Sequence, residues 1–456
     1  MPTHTYSGTF VGGDKKIDWF SVSRELHLKY GGKIEIVPKV PVTGLDDFSV
    51  WYTPGVAEPC RKIKEGGEDL SFEYTWRWNS AAVVSDGTRV LGLGDIGPAA
   101  GLPVMEGKAL LFKFLGGVDA VPIVLRERDP DRFIYIVKAL EPSFGAINLE
   151  DIESPKCFYI LEKLQEVLDI PVWHDDQQGT ALVNIAALIN ALKVVGKRIE
   201  QVRIALVGAG AANIALYKYL KIAGANPRNI VVVDSKGVIH PEREDIEQMR
   251  NDNPWKYRIA VETQPEVRGG IGEAMRGADV VIAASRPGPG VIKKEWVAEM
   301  DKDPIVFAEA NPIPEIWPWE AKEAGARVVA TGRGDFPNQV NNSLGFPAVF
   351  RGVLTVGARK MVDEMFMAAA QALARYAEGK GIHEEYIVPR MDEAEAYVHE
   401  AVAVAEKALE LGLARRKLPR GELEHEIREF IERPRKYMNM ALERSYIKIH
   451  PPFGSW

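Results

Sequence analysis

Between Gln178 and Val195, apolar residues fall at Ala181, Ile185, Leu188, Leu192 and Val195, at alternating spacings of four and three. That rhythm puts them on one stripe of a helix, which we read as the bridge between two domains. Past Gly196 the rhythm changes. The runs Arg203–Val207, Asn229–Val233, Ala278–Ala283 and Pro304–Phe307 alternate with helical stretches, a pattern that predicts a parallel, doubly wound sheet. Upstream, Ala82–Val84, Arg89–Leu91 and Ala120–Leu125 alternate with glycine-rich turns and predict a sheet with loops at its strand ends. Ser154-Pro155 offers an N-cap and a first-turn proline to a helix reaching about Leu168. Residues before 50 mix strand-like pieces such as Lys33–Val37 with Gly and Pro breaks. From Asp392 onward the pattern is helical and charged, with Pro434 interrupting it. Its basic residues, among them Arg433, Arg435, Lys436, Arg444 and Lys448, read as a solvated helix face or a subunit contact.

Composition narrows the class. A chain of 456 residues implies two domains. The net charge of −7 argues against a nucleic-acid partner. No continuous apolar run approaches the ~20 residues needed to span a bilayer, and Met1–Tyr6 carries no secretory pattern. With two cysteines, Cys60 and Cys157, there is no disulfide framework and no zinc spacing, so a reducing, cytoplasmic setting is expected.

Two Gly-x-Gly stretches compete for a dinucleotide. In Gly92-Leu-Gly94-Asp-Ile-Gly97, the following Pro98, Gly101 and Pro103 argue that no helix starts there, and we read an active-site turn. The second, Gly208, Ala209, Gly210, Ala211, Ala212 and Asn213, follows a predicted strand and opens a helix. Gly208 permits the tight turn and Gly210 the close approach of a pyrophosphate. Asn213 stands where Gly or Ala is usual, a departure that should loosen helix–strand packing. Asp234, 24 residues beyond Gly210, suits a ribose 2′-hydroxyl and hence NAD. Ser235 and Lys236 beside it suit a 2′-phosphate and hence NADP, and both remain open.

Outside that unit stand Glu150-Asp151, Asp175-Asp176 and the isolated Asp95. Both pairs follow strand-like pieces, and strand ends of α/β sheets face the ligand crevice. Convergent carboxylates suit Mg²⁺ or Mn²⁺, although Asp175 or Asp176 would also suit a helix N-cap. Neighbours on a strand point to opposite faces, so Glu150 and Asp151 share an ion only if the chain turns between them. Lys108 is either a solvated lysine or a desolvated base of lowered pKa. Tyr52 is either a core aromatic or a phenolic acid.

These residues lie in stretches that together resemble the malic enzyme family, in its short-subunit bacterial and archaeal form. They are Tyr52–Ala57, Asp86–Gly97, Glu106–Lys108, Asn148–Asp151, His174–Thr180, Gly208–Ala212, Glu309–Pro312 and Asp335–Asn342. The resemblance covers roughly residues 50–355. It implies oxidative decarboxylation of L-malate to pyruvate and CO₂ with NAD or NADP and a divalent metal. It implies Lys108 as the base at the malate C2 hydroxyl and Tyr52 as the acid that protonates C3. It implies Glu150, Asp151 and Asp176 as metal ligands, with Asp175 supporting. Arg89, Lys108, Asn311 and Asn342 would contact substrate. Thr180, Gly208–Asn213, Asp234, Ser235, Lys236 and Asn311 would contact cofactor. A homo-oligomer, dimer or larger, is implied, with no membrane or nucleic-acid partner. The expected fold is α/β: an N-terminal mixed α/β malate and metal domain (1–180), a doubly wound Rossmann-type domain (181–390) and a helical C-terminal extension (391–456). The alternatives are a malolactic enzyme, a metal-independent amino-acid dehydrogenase using Lys108 alone, and a non-catalytic nucleotide-binding protein.

Overall fold

The computed structural model describes residues 9–10 and 17–450; the Met1–Tyr6 segment read for a secretory signal lies outside them. A ribbon of β1 (Thr9–Phe10) and β2 (Ile17–Asp18) leads into the Trp19–Tyr30 helix. The first sheet holds β3 (Ser80–Ser85), β4 (Asp119–Val124), β5 (Ala146–Leu149) and β6 (Val172–His174). All are parallel, in the order β4-β3-β5-β6. Helices cover both faces, so β3 is buried at every position and reads as an unbroken apolar run rather than an alternating one. Register fixes where the connecting loops begin. Val84 pairs with Leu149 and Leu149 with His174. The loops leaving β3, β5 and β6 therefore emerge level with one another at one sheet edge.

The second sheet contains β7 (Ile204–Val207), β8 (Ile230–Asp234), β9 (Gly237–Val238), β10 (Val280–Ala283), β11 (Ile305–Ala308) and β12 (Val328–Thr331). Its order is β12-β11-β10-β7-β8-β9, parallel except for β9. The order reverses at β7, and the crevice at such a switch point is where α/β sheets bind ligands. The doubly wound sheet is as expected.

Several local expectations fail for identifiable reasons. Lys33–Val37 is not a strand, and Ile36 is 91% exposed. Arg89–Leu91 is a turn in which Val90 bridges Gly94. The Pro98–Gly116 helix is hidden in the sequence because Gly101, Pro103 and Gly107 break its pattern. Pro98 does not bar a helix but starts this one, since a first-turn proline gives up an N–H that has no helical partner anyway. Ser154 does not cap the following helix, Lys156–Val167, and its bond to Pro155 is cis.

The bridging helix, Thr180–Val195, is enclosed nearly all round rather than along one stripe. With the preceding turn it is long and apolar enough to cross a bilayer by length and composition, yet 72% of that window is buried inside the fold. It packs against Asp363–Lys380 and Ala211–Ile222. One apolar core runs from the first sheet through this helix to one face of the second sheet, and a smaller one covers the other face.

The C-terminal segment is helical as expected, but it is no appendage. Ala394–Glu410 packs on Phe346–Thr355 and Asp363–Lys380, and Arg420–Glu443 lies along Pro98–Gly116. Pro434 sits inside the last helix without ending it. Proline has no N–H for the carbonyl four residues back, here Phe430. That oxygen instead faces Gly117, where an added Cβ would stand 2.1 Å from it.

Leu423, Ile427 and Ile431 of the last helix are fully buried. Ile427→Ala should therefore cost about 2–5 kcal/mol, measured as a lower denaturation midpoint. An unchanged midpoint would make the helix accessory after all.

Candidate active site

Two of the three level strand ends, those of β5 and β6, supply the acids. After β5, Glu150 donates its N–H to Val84 O at 2.9 Å, continuing the ladder. Asp151 then turns sharply with φ 53°, the turn that alternation along a strand would otherwise forbid. After β6, a π-turn over Asp175–Gly179 brings Asp176 to the same place, and its Oδ2 accepts the Asp151 N–H at 2.8 Å. One oxygen each from Glu150, Asp151 and Asp176 lies within 4.8 Å of the others. Glu150 and Asp151 are buried, while Asp176 is partly open at 33%. The loop after β3 braces the cluster, with Arg89 N–H donating to Asp151 O at 3.0 Å. Thr88 Oγ1 bonds Asp86 Oδ1 at 2.6 Å and accepts the Glu153 N–H at 3.0 Å.

Lys108, on the Pro98–Gly116 helix, reaches in from the other side. Its ammonium pairs with Asp175 and with Glu150 (3.2 Å), donates to Asn342 Oδ1 (3.2 Å), and lies 4.7 Å from the centre of the Phe346 ring. Asp175 is fully buried and also accepts from Trp173 Nε1 at 3.1 Å. Gly179 is obligatory, because a Cβ there would overlap Asp175 Oδ1 at 1.8 Å. Asp175 is thus tied to Lys108 and Trp173 and stands apart from the three-oxygen cluster.

Electrostatics follow from this crowding. Burial raises the Glu150 pKa well above its usual value, opposed by Lys108 and reinforced by Asp175, Asp176 and Asp151. Asp175 is raised for the same first reason, with Lys108 pulling the other way. For Lys108, burial alone would lower the pKa, in line with the desolvated base expected from the sequence. Asp175 and Glu150 overcome it, and the net direction is upward. In this arrangement Lys108 is an ammonium holding two carboxylates. Carboxylate oxygens are hard donors and fit Mg²⁺ or Mn²⁺, whose dehydration they offset.

The other expected residues take up varied positions. The Arg89 side chain is exposed beside the cluster. Asn311 lies across the cleft, with its Nδ2 donating to Glu309 O at 3.3 Å and its own carbonyl close to Gly92. The Gly92–Gly97 turn therefore begins beside the Asn311 backbone. Asp95 does not join the acids and pairs with Arg128 at the surface, 2.8 Å away. Tyr52, after the short Asp47–Trp51 helix, is 70% exposed. Among the described residues, no hydrogen bond or ion pair joins it to Lys108 or the acids.

At the dinucleotide loop, Gly208 has φ 101°, and a Cβ there would stand 2.4 Å from Ala284 O. Gly210 precedes the Ala211–Ile222 helix, and a Cβ there would meet nothing within 4 Å, which leaves open the approach a pyrophosphate requires. Asn213 does the opposite of loosening the packing. Its Nδ2 donates to Val207 O and Gly208 O, each at 3.0 Å, stapling helix to strand. Asp234 is already engaged within the chain. It is bound by Arg243 (2.9 Å), by Lys256 and by the Lys236 N–H (2.8 Å). Burial opposes its charge, but these partners hold its carboxyl below the usual range. Arg243 also makes a two-point pair with Asp245, at 2.8 Å for each contact. Ser235 and Lys236 are exposed beside it.

Sequence reasoning does not single out Arg243, Lys256, Asn184, Trp173 or Asn148, whose Nδ2 supports Glu150 at 3.0 Å. A basic residue nine positions past Asp234 is the one available signal, and by itself it reads as surface charge.

The family model described as malic enzyme, N-terminal domain, matches residues 31–165, and malic enzyme, NAD binding domain, matches 177–409. An NAD-dependent malic enzyme of Geobacillus stearothermophilus is 49% identical over 394 residues, 86% of this chain and 80% of that one. A bifunctional malic/malolactic enzyme of Bacillus subtilis is 48% identical over 391 residues, 86% and 93% of the two chains. The crystal structure of Entamoeba histolytica malic enzyme superposes with a TM-score of 0.91 at 47% identity, covering 95% of this chain and 90% of that one.

If the three-oxygen cluster holds a cation, Mn²⁺ titration of the purified protein should reveal one site per chain. Asp176→Asn should weaken that site about tenfold or more, the scale of losses seen even for supporting residues around metals. Unchanged Mn²⁺ affinity in this variant would remove the cluster as the site.

Proposed function

The chain belongs to the malic enzyme family, and from that premise we propose that it converts L-malate to pyruvate and CO₂ while reducing NAD⁺ or NADP⁺, with a divalent metal ion. The observation that carries this reading is the meeting of Glu150, Asp151 and Asp176 within 4.8 Å beside the buried Lys108 ammonium. When bound, the metal and the nicotinamide would supply a Lewis acid at the C2 oxygen and a hydride acceptor at C2. Glu150, Asp151 and Asp176 would hold the metal, and Gly208–Asn213 would take the pyrophosphate.

The chain's own residues divide the remaining work. Arg89, a planar fork at the open rim, clamps a malate carboxylate. Asn342, held by its bond to Lys108, and Asn311, held to the Glu309 carbonyl, orient the substrate. With the acids engaged by a metal, burial favours neutral Lys108, which accepts the C2 hydroxyl proton as hydride leaves C2. Lys108 returns that proton to the same oxygen as the bond to the departing CO₂ breaks. As Tyr52 protonates C3, Lys108 takes the proton back from that oxygen, which leaves pyruvate.

Tyr52 meets that role through a second copy of the chain. Its segment presents apolar side chains to solvent, with Ile36 at 91%, Leu45 at 86% and Tyr52 at 70% exposure. Such a strip marks a contact surface, and a homodimer covers it while bringing Tyr52 to a neighbouring site. The exposed Cys60 and buried Cys157 are both free thiols, which suit a reducing cytoplasm. A second reading, malolactic conversion with retained cofactor, is favoured by the name of the Bacillus subtilis relative.

Three outcomes test this. Malate should reduce NAD⁺ and NADP⁺ in an absorbance assay, EDTA should stop it, and Mn²⁺ should restore it. Lactate without net reduction would favour the malolactic reading, and EDTA-insensitive turnover would end the metal assignment. Because Arg243 and Lys256 offset the charge of Asp234, kcat/KM for the two cofactors should differ by less than about a hundredfold, below the ~3 kcal/mol that an unpaired, repelling carboxylate would impose. A larger preference for NAD⁺ would show that the offset does not operate in solution. Finally, Tyr52→Phe and Lys108→Ala homodimers should both be nearly inactive, while mixing and reassembling them should restore about a quarter of wild-type activity. No recovery in verified mixed dimers would place both residues in one chain's site.

A further inference from the structure

Glu309 follows the C-terminal end of β11, one strand out from the switch point between β7 and β10, and it is 8% exposed. One of its oxygens accepts from Asn184 Nδ2 at 3.0 Å, and the other has no hydrogen-bond partner among the described residues. Asn184 is itself buried, and its Oδ1 also lacks a partner. Its Nδ2 bonds Thr180 O at 3.0 Å, one helical turn back and next to the Gly179 that packs on Asp175 and Asn342. The Glu309 carbonyl oxygen accepts from Asn311 Nδ2 at 3.3 Å. A buried acid–amide pair with two unsatisfied oxygens thus lies between the dinucleotide loop and the Lys108 cluster. Buried polar atoms of this kind cost free energy unless something bonds them.

The charges around Glu309 do not explain it as an ion. Glu315 faces it from the following loop, with its carboxylate bonded by Ser285 N–H and Oγ (2.9 Å each) and Ala310 N–H (3.0 Å). Arg333, after β12, directs its guanidinium to Asp335 and to Pro312 O. From the Thr180–Val195 helix comes only the neutral Asn184. Burial first, and then Glu315, push the Glu309 carboxyl up to about 8, against the bond from Asn184. It is neutral at pH 7.

We propose that Glu309, steadied by Asn184, is the counter-charge for the oxidised nicotinamide ring. It is a carboxyl in the empty protein and a carboxylate once the cationic ring lies in the crevice. The O–H bond of the carboxyl breaks and its proton passes to solvent; no electrons move. A positive ring in a poorly solvated site favours the ionised acid, whereas the reduced ring is neutral and leaves the proton in place. This rests on the cofactor crevice proposed above and adds a role that the hydride chemistry does not require.

Linkage gives the sign. Below pH 8 the empty protein holds the proton and the oxidised complex does not, so affinity for oxidised cofactor rises with pH, by up to tenfold per unit, and levels off above about 8. Affinity for reduced cofactor stays flat. Calorimetry at pH 7 in two buffers of different ionisation enthalpy should show release of close to one proton on binding oxidised cofactor and none on binding reduced cofactor. Glu309→Gln should release none and lose the pH dependence. Equal release by the two cofactor forms, or undiminished release in Glu309→Gln, overturns the proposal. Should that variant not fold, wild type at pH 9.5 serves, because release should vanish there and its persistence is equally fatal. If neither form of the cofactor binds, the crevice assignment fails first, and this one with it.

Discussion

Negative charge gathered in a buried place is the constraint around which this molecule is arranged. Glu150, Asp151, Asp175 and Asp176 come from two neighbouring strand ends, and three of the four are buried. Carboxylates so placed repel one another and lose their hydration, and either cost alone would drive them to protonate or separate. The Lys108 ammonium takes up two of them. The Asp151 N–H and the Asn148 and Trp173 side chains each take one further oxygen. What survives is a site that gains from any additional cation, and a lysine whose protonation depends on whether that cation is present. The protonation of the lysine and of the acids is therefore one electrostatic balance rather than a set of separate properties.

The large-scale layout is legible in the sequence because period and punctuation carry it. Strand–helix alternation after Gly196 marks the doubly wound sheet, and Gly208 with Gly210 marks its loop. The acids are legible because both pairs follow apolar runs, and a strand end is where a parallel sheet presents its ligands. Long-range pairing is not legible. Nothing local announces that Asp234 will be held by Arg243 and Lys256, or that Phe430 will press on Gly117, since these contacts depend on register between elements far apart in sequence. Proline misleads twice for the same reason. Pro98 and Pro434 read as breaks, but a helix start has no use for the missing N–H, and a carbonyl released mid-helix can face a glycine elsewhere.

The cofactor crevice shows what a motif leaves out about the surroundings of its residues. The loop-and-acid pattern identifies a dinucleotide crevice, yet it presumes an unoccupied Asp234. Here that side chain is already satisfied by two cations and a backbone N–H. Its charge is offset by Arg243 and Lys256, and the exposed side chains at the end of β8 are Ser235 and Lys236. Asn213 makes a similar point in reverse. A residue that departs from the pattern turns out to strengthen the joint, because its amide reaches two carbonyls that Gly or Ala could not.

Asp151 combines both lessons. Its backbone adopts φ 53°, a left-handed conformation that costs a residue with a Cβ about 1–2 kcal/mol. Glycine would relieve that cost, but it would remove a ligand oxygen; another acid in extended conformation would point to the opposite face from the one Glu150 uses. An aspartate forced into the turn is the solution that keeps two consecutive carboxylates on one side, and its short side chain makes it among the residues best able to tolerate the geometry. Once turned, its N–H is free to meet Asp176 Oδ2, so the strained residue is also the one that ties the two strand ends together. Backbone strain, the placing of a carboxylate beside Glu150 and the join between the loops after β5 and β6 thus meet in a single residue.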